Sequence, residues 1–131
     1  MNAMAGDDAG RRHVLCRVDE LEATGCREFR LGSGDWPLKG FVVRVENGVR
    51  AYVNACPHRV LPLNLLPDRF LNADGSLILC CMHGAVFDKG TGLCLSGPCA
   101  GRALTAIAVN VAAGEVLLEG NPAGLIERWA R

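Results

Sequence analysis

The clearest hydrophobic pattern in the chain is a pair of β-rich runs, Gly40-Phe41-Val42-Val43-Arg44-Val45-Glu46 and Val49-Arg50-Ala51-Tyr52-Val53-Asn54, separated by Asn47-Gly48. β-Branched and aromatic residues suit a pleated surface and Asn-Gly accepts positive φ, so these runs predict a hairpin closed by a type I′ turn. Further along, Thr105, Ile107, Val109 and Val111 recur with period two within 104–111, and Ala113-Gly114 turns the chain back into Glu115-Val116-Leu117-Leu118-Glu119. This predicts a second hairpin. Leu77-Ile78-Leu79 and Ala85-Val86-Phe87 read as short strands, and Asp88-Lys89-Gly90-Thr91-Gly92 as a turn leading into Leu93-Cys94-Leu95. Val14 to Val18 begins a strand, after which Asp19-Glu20-Leu21-Glu22 carries acidic residues and helix formers enough for about one helical turn. Residues 1–13 lack periodicity and are expected to be a disordered N-terminus. After Pro122, Ala123 to Ala130 reads as a short C-terminal helix with Leu125, Ile126 and Trp129 on one apolar side. Many short strands with frequent turns predict one all-β sandwich or barrel over residues 14–131.

Composition narrows the function. The 131 residues carry 14 basic and 14 acidic side chains, a net charge of zero. That balance argues against coating nucleic acid or anionic lipid by long-range attraction. No apolar run approaches the roughly 18 residues of a membrane span. Arg11-Arg12 is followed by Arg17, Asp19 and Glu20 where an export signal would be apolar. A cytoplasmic protein is therefore expected. At this length a fold does not need a metal or disulfide for stability, so a metal site would be available for function.

The seven cysteines are an odd number in a chain without a secretion signal, which points away from a disulfide framework and toward thiols acting as ligands. Two of the three histidines lie close to cysteines, in Cys56-Pro57-His58 and Cys80-Cys81-Met82-His83, with twenty-one residues between His58 and Cys80. Loops at the ends of neighbouring strands can converge, which would offer Cys56, His58, Cys80 and His83 as four ligands. Thiolate and imidazole together suit zinc or an iron–sulfur centre. Structural zinc sites more often pair Cys with Cys and His with His, whereas here each loop supplies one of each, which suits a two-metal cluster. If both cysteines bind one iron and both histidines the other, the ligation is that of a Rieske centre.

The residues that follow the two loops extend the likeness. Cys56, His58, Cys80, His83, Gly84, Phe87, Asp88, Gly92, Gly97 and Pro98 resemble the pattern of Rieske [2Fe–2S] ferredoxins and of the Rieske domains of ring-hydroxylating oxygenases. Those sequences read Cys-x-His, a gap, Cys-x-x-His-Gly, an aromatic residue followed by Asp and a Gly-containing turn, then Gly-Pro. The likeness spans about Val14 to Leu118. It implies an all-β, antiparallel β-sandwich with a small cluster-binding subdomain at one end. It also implies that Cys56 and Cys80 hold the inner iron, His58 and His83 the outer iron, and that Ser96-Gly97-Pro98 forms a third, covering loop.

The implied function is a soluble electron-transfer protein, not itself an enzyme, carrying one electron at a time between a reductase and a terminal oxygenase or other oxidoreductase. Its implied partners are redox proteins, with no nucleic acid and no membrane. Two rival readings use the same four residues: a small Rieske subunit of a larger, nitrite-reductase-like oxidoreductase, and a redox-inert zinc-binding module. Terminal oxygenase chemistry would need a separate site of two histidines and one carboxylate, for which His58 and His83 are already spent.

Departures from the pattern carry information. The gap is somewhat long and contains Leu61-Pro62-Leu63-Asn64-Leu65-Leu66-Pro67, whose leucines are expected to pack over the sandwich edge rather than face a partner. High-potential relatives carry a Ser and a Tyr after the second loop and a disulfide between the loops. This chain has Ala85 and Phe87 at those positions, Met82 before the histidine, and no cysteine from Arg59 to Leu79. Fewer hydrogen bonds to the cluster sulfurs disfavour the extra electron, so a low potential is expected. Cys81 occupies a position the pattern leaves open. Cys94 and Cys99 read as small buried hydrophobes, with Cys99 placed to shield a cluster sulfur as the alternative. Cys16 and Cys26 read as core or surface thiols. Arg59 reads equally as a docking contact or as a surface partner of Asp68 or Asp88.

Overall fold

The computed structural model describes residues 13–32, 38–55, 57, 62–64, 66–81 and 84–119. The expected disordered segment, except His13, and the expected C-terminal helix lie outside these residues. His13 itself opens the first strand. Ten strands follow one another: β1 His13–Arg17, β2 Cys26–Leu31, β3 Leu38–Val45, β4 Gly48–Val53, β5 Ile78–Leu79, β6 Val86–Phe87, β7 Cys94–Ser96, β8 Ala106–Ile107, β9 Val109–Ala112 and β10 Glu115–Leu118. A 3₁₀ turn, Val18–Leu21, realises the short helix read from the acidic segment, and Leu21 is fully buried.

The strands form three antiparallel sheets, β1-β10-β9, β2-β3-β4-β8 and β5-β6-β7. The four-stranded sheet is the middle layer, because alternate residues along it enter two different cores. Phe29, Leu31, Leu38, Val42, Ala51, Val53 and Ile107 pack with Cys16, Val116 and Leu118 of the β1-β10-β9 sheet. Cys26, Phe41, Val43 and Tyr52 face the other way, onto Leu63, Phe70, Ile78, Cys80, Ala85, Phe87, Cys94, Cys99 and Leu104. Period-two side chains make this division possible. Phe41 stacks on Phe70 with ring centroids 4.2 Å apart and tilts against Tyr52 at 5.9 Å. Such aromatic contacts contribute about 0.5–1.5 kcal/mol each beyond their burial, and the Phe41–Phe70 stack fastens the segment leading into the small sheet to the middle layer.

The second hairpin turns at Ala113-Gly114 as expected, whereas the first departs from the sequence reading. At the first hairpin Val45 pairs with Gly48, so Glu46 and Asn47 form the turn. Neither has positive φ, which rules out the expected type I′ geometry there. That geometry appears instead at the second hairpin, where Ala112 pairs with Glu115 and the central residues Ala113 and Gly114 have φ of 53° and 79°. The run expected over 104–111 splits at Ala108, with β8 joining β4 in the middle sheet and β9 joining β10 in the outer one. The carbonyl of Ala108 accepts a hydrogen bond from Glu119 N at the crossing.

Candidate metal centre

Of the four candidate ligands, Cys80 is the one among the described residues; Cys56, His58 and His83 lie outside them. Cys80 directly follows β5, is fully buried, and is in no disulfide. Its N–H donates to Ala85 O at 2.8 Å and its carbonyl accepts from Gly84 N at 2.9 Å. These bonds hold Gly84 and Ala85 back against Cys80. Cys81 is exposed, and its N–H donates to Leu63 O at 2.8 Å. That bond joins the second Cys/His loop to the segment that follows the first.

The first loop is bracketed by a buried polar residue. Asn54 follows β4, is 9% exposed, and accepts from Leu63 N at 2.8 Å through its side-chain oxygen. Its amide donates to Asn64 Oδ1 at 2.9 Å, and Asn64 in turn donates to Glu28 Oε2 and to Leu66 O. Residues 54 and 63–64, which flank the first motif in sequence, are thereby held together. Leu63 is fully buried in the core while Leu66 is 62% exposed, so the leucine-rich gap is divided: Leu63 packs as expected and Leu66 does not. Leu61 and Leu65 lie outside the described residues. Asn54→Ala strands the buried Leu63 N–H, an unsatisfied donor that costs about 1–3 kcal/mol. Chemical denaturation is expected to report a loss in that range, and unchanged stability would contradict the bracing role.

The third loop touches the second, and Arg102 just after it touches the first. A Cβ on Gly97 would lie 2.7 Å from Ala85 Cα, so the loop backbone rests directly on the residue whose carbonyl holds Cys80. On its other side Arg102 Nη1 donates to Pro57 O at 3.2 Å, within the Cys56-Pro57-His58 motif. Asp88 organises the turn that leads there. Its Oδ2 accepts from Gly90 N, Thr91 N and Thr91 Oγ1, and the Thr91 bonds hold the carboxyl below its ordinary range. Gly92 has φ of 78° and lies against the Tyr52 ring, where a Cβ would meet Cε1 at 2.8 Å. Tyr52 Oη donates to Lys89 O at 2.8 Å, which ties this turn to the middle sheet.

Sequence reading had assigned the motif residues but missed the braces: Asn54, Asn64, Glu28 and Arg102. The legible signal was Asn54, an uncharged polar residue closing an apolar strand two positions before Cys56. Cys16 and Cys26 are core thiols, 5% and 0% exposed. Asp68 accepts from Glu28 N at 2.8 Å and pairs with Arg27; Arg59 lies outside the described residues. Ala85 and Phe87 are fully buried, so apolar side chains stand where high-potential relatives carry hydroxyls.

The one described ligand, Cys80, is a buried thiol of the kind a metal cluster takes, and the 97–102 segment contacts both Ala85 near it and Pro57 of the first motif. A sequence profile described as the Rieske [2Fe-2S] domain matches residues 11–113. No curated protein matches. Among solved structures, the chain is 26% identical to a chain from a complex of reduced oxygenase and oxidized ferredoxin in carbazole 1,9a-dioxygenase, covering 82% of this chain and 91% of that one with a TM-score of 0.60. The fold is shared with the ferredoxin of carbazole 1,9a-dioxygenase from Nocardioides aromaticivorans IC177, at 24% identity, 84% and 98% coverage and a TM-score of 0.62. It is shared too with a Sphingomonas yanoikuyae B1 ferredoxin, at 22% identity, 84% and 99% coverage and a TM-score of 0.60. With its loops, their braces and a family match across most of its length, the chain belongs to the Rieske [2Fe–2S] domain family.

Proposed function

We propose that this protein is a Rieske-type ferredoxin, passing single electrons from a reductase to a terminal oxygenase or a related oxidoreductase. The observation that carries the reading is the family match across residues 11–113, supported by the Cys81–Leu63, Gly97–Ala85 and Arg102–Pro57 contacts that link the segments bearing the two motifs and the residues after them. Cys56 and Cys80 would hold one iron and His58 and His83 the other. When bound, a [2Fe–2S] cluster supplies one-electron oxidation and reduction. The chain's own residues bury Cys80, hold the loops in register and cover them with the 96–98 segment.

The partners are redox proteins, and their transient docking needs less than about 1,200 Å² of interface. The resemblance to a chain from a complex of oxygenase and ferredoxin, and to two ferredoxins, supports that role. Among the described residues no helix is long and apolar enough to cross a membrane. No described cysteine forms a disulfide, which suits a reducing cytoplasm. A redox titration is expected to give a one-electron midpoint toward the lower end of the Rieske range of roughly −150 to +300 mV. Buried Ala85 and Phe87 offer no hydroxyl to the cluster sulfurs, and a midpoint above about +100 mV would contradict the low-potential assignment.

A further inference from the structure

The sequence presents Cys94 and Cys99 as buried hydrophobes near the third loop, and the fold brings their sulfurs together. Cys99 Sγ lies 3.1 Å from Cys94 Sγ, with the two residues 2% and 3% exposed. A disulfide needs the sulfurs only about 1 Å closer. The backbone around them is already held in register. Cys94 N donates to Arg102 O at 2.7 Å, Arg102 N donates to Cys99 O at 2.9 Å, and Gly101 N donates to Cys94 O at 3.4 Å. Between the thiols runs the third loop, whose residues 95–98 are exposed, so local opening of that short segment suffices to admit a small reagent.

We propose that Cys94 and Cys99 are a modification site, closing reversibly to a disulfide that clips the base of the third loop. The oxidant is a low-molecular-weight disulfide. One thiolate attacks it, forming a mixed disulfide and releasing one thiol. The second thiolate then attacks the protein-side sulfur, expelling the second thiol and leaving the Cys94–Cys99 bond. Two S–H groups are oxidised and one external S–S bond is reduced, so atoms and electrons balance. A dithiol reductant reverses both steps. Cys16 and Cys26 are internal controls, because burial pushes their thiols up to about 11 and about 12 and keeps them protonated and unreactive.

The clip acts on the segment that contacts both Cys/His loops, with Gly97 on Ala85 and Arg102 on Pro57. Its consequence for the cluster rests on the ferredoxin reading; the disulfide itself does not. The test treats the folded, iron-loaded protein with oxidised glutathione, quenches it in acid, alkylates it in denaturant and digests it with trypsin. Cleavage after Lys89 and Arg102 releases residues 90–102, which contain Cys94 and Cys99 and no other cysteine. The expected product is that peptide, unalkylated and lighter by two hydrogens, restored to two alkylated cysteines by prior dithiothreitol, with Cys16 and Cys26 alkylated throughout. Recovery of the peptide with both cysteines alkylated, with a retained glutathione, or linked to another cysteine overturns the proposal. Cys99→Ser is expected to abolish the two-hydrogen loss, and the wild-type peptide decides the matter if that variant does not fold. Protein purified without iron would overturn the ferredoxin reading while leaving the peptide result intact.

Discussion

Replacing Gly97 with alanine is expected to lift the third loop off the second and to yield protein with little or no bound iron. Two effects combine. At φ of 114° an L-residue is strained by about 1–3 kcal/mol. The new Cβ would also stand 2.7 Å from Ala85 Cα and 2.8 Å from Ala85 Cβ. The nearest atom is backbone and cannot rotate away, so relief requires moving either the loop or Ala85, and overpacking of this kind adds about 1–3 kcal/mol. Ala85 O is the acceptor for Cys80 N, so the displacement reaches the buried thiol. Gly101→Ala separates strain from collision: its φ is 92° but nothing lies within 4 Å of the added Cβ. That variant is expected to keep its iron with a lower melting temperature. Equal iron content in the Gly97 and Gly101 variants would show that the contact with Ala85 is dispensable.

The second large effect separates two adjacent cysteines. Cys80→Ala is expected to remove the visible absorption of the cluster entirely, whereas Cys81→Ala is expected to retain full iron and sulfide. Cys80 is fully buried, held by bonds through its own N–H and carbonyl, while Cys81 is exposed and contributes its backbone to Leu63. Alanine is close in size to cysteine, so the fold should survive in both variants and a melting curve would confirm it. Loss of colour in the Cys81 variant with retention in the Cys80 variant would reassign the ligand.

Much of this site was legible because its chemistry is local. Cys56-Pro57-His58 and Cys80 to His83 declare themselves by residue type and spacing, and Gly92, Gly97 and Pro98 follow at fixed offsets. The reasons for those glycines were not legible, since the Tyr52 ring and the Ala85 backbone that exclude a side chain come from distant parts of the chain. β2 was missed for a related reason. Its odd residues Phe29 and Leu31 face one core, but its even face presents Cys26, Glu28 and Arg30, with Glu28 serving as acceptor for Asn64. Charged residues interrupt the pattern that a single buried face would leave. The double burial of β3 and β4 likewise reads as a continuous apolar run, which shows a strand without showing that it is the middle of three layers. The type I′ turn fell at Ala113-Gly114 rather than Asn47-Gly48 because strand register, fixed by which residues must face each core, outweighed the local preference of Asn-Gly. The Cys94–Cys99 contact depends on the curl of a six-residue loop, and periodicity carries no trace of it.

The most direct test of the account is pulsed electron paramagnetic resonance of the dithionite-reduced protein, combined with iron and acid-labile sulfide analysis. Two irons and two sulfides per chain are expected, with one unpaired spin that couples to two ligating imidazole nitrogens. A spin without nitrogen coupling, or a colourless, spectroscopically silent protein that carries zinc, would contradict it.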